Sequence, residues 1–218
     1  MKTHYYLGWF NNFFPENLGR VLQGDITDRK SIAMISSNPS SDEDDGTTER
    51  SWLDQAGIVF DEYHLINYRV QKEDAQTIIQ NASVIFLLGG NTLKQNVFLM
   101  EYELSDWIKK SGAVVVGASA GAINMSAKWL CSQNLGDEVE GSSVYEGVGL
   151  DEFSVLAHFD LENNMGLVLR ELSPLSEEIN IYASNKDCAV RTKGDKIDII
   201  GDVYLISQSN IQKLDATI

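Results

Sequence analysis

The sequence predicts a three-layer α/β/α fold around a mostly parallel central sheet, with antiparallel strands near the C-terminus. Short runs of β-branched and aromatic residues alternate with longer stretches of helical periodicity, the pattern of strand–helix–strand units. Several runs, SVIFLL at 83–88 and AVVV at 113–116 among them, show no polar alternation, as expected of strands buried on both faces. Beyond residue 153 strand-like pieces follow one another closely, and Gly194-Asp195 between two of them is a hairpin signal.

Each element follows from its residues. Ser31–Ser37 reads as a strand, and an acidic loop leads from it into a helix near Thr48–Ala56. Tyr63–Val70 is a second strand. Glu73–Ala82 is a helix because Ala75, Ile78, Ile79 and Ala82 recur at helical spacing. Ser83–Leu88 is a strand ending in Gly89-Gly90-Asn91, followed by a helix from Thr92 to about Lys110 and the strand Ala113–Val116. A helical segment then runs to about Leu130. Phe153–Phe159 is a strand and Leu161–Leu172 a helix. Strands follow at Ile179–Ala183, Ala189–Lys193, Lys196–Ile200 and Val203–Ser207. Gly19, Gly57 and Gly112 are placed where helices should stop. The chain of 218 residues has no Pro/Ser/Gly-rich linker and no internal repeat, so residues 1–218 are expected to form a single domain.

Charge narrows the partners. With 17 basic and 32 acidic side chains the net charge is −15, which disfavours nucleic acid and anionic membrane surfaces. No stretch reaches the ~20 apolar residues needed to span a bilayer, and two cysteines without a signal peptide fit reduced thiols in the cytoplasm. Asp42-Glu43-Asp44-Asp45 lacks the alternating ligands of a calcium loop and reads as a solvated loop. Tyr5, Tyr6, Trp9, Phe10, Phe13 and Phe14 form an aromatic cluster, read as packing over a strand edge or as a dimer contact.

The chemistry concentrates at 114–123, VVVGASAGAI. An apolar strand enters a G-x-S-x-G turn and leaves as a helix, the context that gives this short motif its meaning. A sharp turn lifts the Ser119 hydroxyl off the sheet as a nucleophile. It tolerates only small neighbours, and all four flanking residues are Gly or Ala. The Ala120 amide at the helix start is an oxyanion donor, and Gly90 in Leu88-Gly89-Gly90-Asn91-Thr92 is a second, with Asn91 lining the same crevice. Asn91 also suits a helix cap.

A serine hydroxyl needs a base, and the chain has three histidines. His4 falls at the N-terminus, taken as mobile, and His64 in a strand remote from the turn, which leaves His158 at the end of an apolar strand. Asp160, Glu162, Asp187, Asp137 and Glu138 are all conceivable orienting acids. Asp187, in a loop between two late strands, is the leading one.

The pieces L-G-G-N-T, V-G-A-S-A-G-A-I-N and a strand ending A-H-F resemble the aspartyl dipeptidase (dipeptidase E) and cyanophycinase family of serine peptidases over about Ser31–Val190. The resemblance implies a class I glutamine amidotransferase-like, flavodoxin-like fold with Ser119 as nucleophile, His158 as base, and Gly90 and Ala120 as oxyanion donors. It implies no metal or organic cofactor. Where the dipeptidases can carry a relay acid, this chain has Asn134. Where a late loop supplies a Glu, it has Lys186 beside Asp187. The arginine that holds a substrate aspartate corresponds to Arg170, or its place is taken by Asn164.

These readings converge on a serine peptidase acting on short peptides, as a monomer or homodimer, with N-terminal aspartate preference open. A catalytically silent binding or regulatory protein on the same scaffold is the alternative. An α/β-hydrolase-type esterase would need a late histidine, and none follows His158.

Overall fold

A computed structural model of the chain describes residues 2–41, 45–137, 139–158, 161–184 and 186–218, with the side chains of 161–163 excepted. The first strand, β1 (Thr3–Leu7), lies inside a seven-stranded sheet and is followed by α1 (Glu16–Asp25), β2 (Ser31–Ile35) and α2 (Thr47–Gln55). Next come β3 (Glu62–Ile66), α3 (Lys72–Asn81), β4 (Val84–Leu87), α4 (Thr92–Glu101), α5 (Leu104–Lys110), β5 (Val114–Ala118) and α6 (Ala120–Met125). A hairpin of β6 (Lys128–Ser132) and β7 (Ser142–Glu146) leads to β8 (Ser154–Ala157), α7 (Leu161–Glu178) and β9 (Ile181–Ser184). The chain ends in β10 (Ala189–Lys193), β11 (Lys196–Ile200), β12 (Val203–Ser207) and β13 (Asn210–Lys213).

The main sheet runs β11-β10-β1-β5-β4-β2-β3. The strands from β1 to β3 are parallel, while β10 and β11 add antiparallel pairings at one side. Strand periodicity fills two cores. Tyr5, Leu7, Ile32, Met34, Val84 and Phe86 face the layer of α1 and α2. Tyr6, Ala33, Ile35, Ile85 and Leu87 face the layer of α3 to α6. This accounts for the unbroken apolar runs: neither face of these strands meets water. A second sheet, β13-β12-β9-β8, packs under α7 through Val168, Leu172, Leu175, Ile181 and Ile206.

Several expectations need correction. Residues 3–7 are a central strand paired with both β5 and β10, and His4 is buried against Asp151 rather than mobile. The aromatic cluster is interior: Trp9, Phe10 and Phe14 pack around Trp52 of α2, with Phe13 alone of the six exposed. Gly19 is a buried residue within α1, whereas Gly57 and Gly112 do follow helix ends. The helix expected over 92–110 breaks at Glu103, which takes a left-handed φ of 53°. The segment expected to stay helical to Leu130 turns at Ser126 into β6. The acidic run Asp42-Glu43-Asp44 and the candidate acids Asp160 and Glu138 lie outside the described residues, as does the Glu162 side chain. Among the described residues no helix is long and apolar enough to cross a membrane.

Candidate active site

Ser119 stands between β5 and α6 with φ 50° and ψ −110°. A non-glycine residue at positive φ is costly and is kept only where its surroundings over-determine it. Here they do. The Ser119 amide donates to the Leu7 carbonyl of β1 at 3.0 Å, and the Ser119 carbonyl accepts the first helical bond from Ile123 at 3.0 Å. The small flanking residues follow from the same geometry. A Cβ on Gly117 would lie 2.6 Å from the Gly121 backbone, and one on Gly121 would press on the Leu87 backbone of β4. The G-x-S-x-G spacing is thus a packing requirement of the bend.

The Ser119 hydroxyl lies 2.8 Å from His158 Nε2 across 39 residues of sequence. His158 follows β8 directly and also takes a left-handed φ, 61°. β8 belongs to the second sheet, so the Ser119 hydroxyl and the imidazole come from different sheets. Burial lowers the His158 pKa below its ordinary 6.5, and the positive charge of Lys186 lowers it further. A lowered pKa favours the neutral ring, the form that accepts a proton.

The Gly89-Gly90 turn lies at the carboxyl end of β4, beside β5. Its backbone is fixed from below: the Ser37 hydroxyl donates to the Gly89 carbonyl, and the Gly89 amide donates to the buried Glu49 carboxylate at 2.9 Å. Gly90 takes φ 132° with Ser37 packed where a Cβ would be, so only glycine fits. Neither the Gly90 amide nor the buried Ala120 amide donates to an acceptor among the described residues. Gly90 is exposed, so water can serve its amide; the Ala120 amide, on a buried residue, is the one that calls for a partner. Asn91 is the cap of α4, accepting from the Lys94 amide at 2.9 Å.

A cavity of about 330 Å³ opens between these pieces, walled by Gly90, Ser119 and His158 on one side and by Asn164, Leu167 and Val168 of α7 on the other. Asn134 also reaches it and donates to Glu171 at 2.9 Å; Ser132 and Ser142 hydroxyls bond the same carboxylate at 2.8 and 3.0 Å. Arg170 is exposed and lies outside the described lining. The loop holding Lys186 and Asp187 runs beside the carboxyl end of β1, with the Asp187 amide donating to Trp9 at 3.3 Å and the Gly8 amide to Cys188 at 2.8 Å. Asp187 is exposed, at φ 56°, and among the described residues no carboxylate bonds the His158 ring.

Sequence reasoning passed over a buried amide cluster behind the site. Asn124 of α6 donates to the Thr92 carbonyl at 2.9 Å and to Gln95 at 3.0 Å, Asn96 donates to Asn124 at 3.1 Å, and Gln95 donates to the Leu88 carbonyl at 3.0 Å. It ties the turn before α4 to the helix after Ser119. Its one signal in sequence was polar residues on apolar helix faces. Glu49 gave none.

Comparison with known proteins bears on family and fold. Residues 25–200 match peptidase family S51. A cyanophycinase from Geminocystis herdmanii (strain PCC 6308) is 31% identical over 142 residues, covering 61% of this chain and 52% of the relative, so the chain spans about half the length of the curated protein it matches. Two crystal structures share the fold at 16% identity. One, a peptidase from an acI-B1 actinobacterium, has a TM-score of 0.71 over 100% of this chain and 96% of the other. The other, a Listeria monocytogenes EGD-e protein named after peptidase E, has a TM-score of 0.63 over 99% and 100%.

Proposed function

Since the chain belongs to peptidase family S51, we propose that it is a serine peptidase hydrolysing short peptides with Ser119 as nucleophile and His158 as general base. The observation that carries this reading is the 2.8 Å contact between the Ser119 hydroxyl and the His158 ring at a strained elbow. Ser119 Oγ attacks the peptide carbonyl carbon while His158 Nε2 takes its proton. The carbonyl oxygen becomes an oxyanion held by the Gly90 and Ala120 amides. The C–N bond then breaks, His158 returns the proton to the leaving amine, and water releases the acyl group by the same steps.

Turnover of a dipeptide panel should fall by about 10⁴-fold or more in Ser119→Ala. A fluorophosphonate probe should label the wild-type chain at Ser119 alone. A Ser119→Ala variant that keeps its activity sinks the assignment. The second reading, a silent binding protein, is favoured by the lack of a carboxylate on the His158 ring among the described residues. It predicts no labelling and no turnover.

A further inference from the structure

We infer that the cavity beside Ser119 takes a neutral, apolar acyl-side residue with a free amino group, and not aspartate; this rests on the peptidase reading above. Ile123, Trp129, Leu135, Val155, Leu167 and Val168 supply apolar walls. Asn134 and Asn164 add uncharged amides. No lysine or arginine is among the described lining residues, and the residues outside the description include none. The charged lining group among the described residues is the Asp137 carboxylate, itself fixed by the Ser132 amide at 2.7 Å. A substrate carboxylate would lose its hydration, find no lysine or arginine in the described wall and face Asp137, whereas an α-ammonium would be drawn to it. The surrounding field of a chain with net charge −15 acts the same way.

Trp129 lines the cavity, is 2% exposed, and its indole Nε1–H has no acceptor among the described residues. Its ring stacks on Tyr145 at 4.8 Å, so rotating to find one would break that packing. An orphaned buried donor is an unexplained cost.

The test compares Leu-Ala with Asp-Ala, by titration calorimetry on Ser119→Ala and by kcat/KM on the wild type. Burying a leucine side chain should favour Leu-Ala by roughly tenfold to hundredfold in both. Leu167→Lys places a cation in the wall and should shift the Leu-Ala to Asp-Ala ratio toward Asp-Ala. Equal or tighter binding of Asp-Ala, binding of neither peptide, or a Leu167→Lys ratio that does not move overturns the inference. Probe labelling of Ser119 is read separately: labelling with Asp-Ala preferred sinks the specificity alone, and no labelling sinks the hydrolase reading while the calorimetry still judges the cavity.

Discussion

Ser119 and His158 both hold positive φ, at 50° and 61°, and each such non-glycine residue costs of order 1–3 kcal/mol. Two strained residues meeting through one 2.8 Å contact are a place where the fold spends stability on placement. Electrostatics at the same scale sets the working pH. If His158 is the base proposed above, its pKa below 6.5 places the acid limb of kcat/KM below that value. Removing the nearby charge in Lys186→Ala should raise the His158 pKa and move the limb to higher pH; Lys186→Glu should move it further. A limb that stays in place in both variants would show that Lys186 does not act on the ring.

At the scale of elements, the site depends on how closely α6 approaches β4. Gly121 has the Leu87 backbone where a side chain would start, and backbone cannot rotate aside. Gly121→Val should cost at least about 1–3 kcal/mol and lower the melting temperature. The amide cluster of Gln95, Asn96 and Asn124 locks α4 to α6 through side chains that are all buried. Asn124→Leu leaves the Gln95 side-chain oxygen without its donor and takes one acceptor from the Asn96 amide. A loss of about 1–3 kcal/mol is expected on urea denaturation, with the Ser119 region losing hydrogen-exchange protection first.

Over the whole molecule, β1 joins the parallel strands to the antiparallel ones, and polar groups at its ends are held by residues far away in sequence. The Tyr5 hydroxyl donates to Asp25 at 2.6 Å and the Tyr6 hydroxyl to Asp151 at 2.6 Å, while Arg191 pairs with Asp25 at 2.7 Å and also with Asp198. Burial pushes the carboxyls of Asp25 and Asp151 upward. Bonds from Lys193, Tyr5 and Arg191 in the first case, and from His4, Tyr6 and Thr192 in the second, outweigh it and bring both below the usual 3.8. Depressed folded-state values contribute stability that is present above 3.8 and lost as pH falls through the lowered ones. Acid titration of the circular dichroism should therefore show the fold failing only below about pH 4. Deleting residues 2–8 should abolish cooperative unfolding altogether, because it opens the sheet between β10 and β5. A truncated chain that still melts sharply would contradict that role.

What could be read from residues alone was whatever local pattern dictates. The apolar strands at 83–88 and 113–116, the helix at 73–82 and the mostly parallel α/β class follow from periodicity. The elbow follows from a spacing of small residues that only one kind of bend requires. β1 stayed hidden because His4, Tyr5 and Tyr6 look too polar for a central strand until Asp25, Asp151 and Thr192 arrive from elsewhere to satisfy them. The break at Glu103 and the turn of 126–132 into a strand were likewise settled by packing that outweighs helical propensity. The sequence by itself determined the class of fold and the bend at Ser119, since both are local rules of backbone and side-chain size. Only the tertiary structure decided the contact between Ser119 and His158, the cavity beside them and the buried partners of β1, since each joins groups that chain proximity does not bring together.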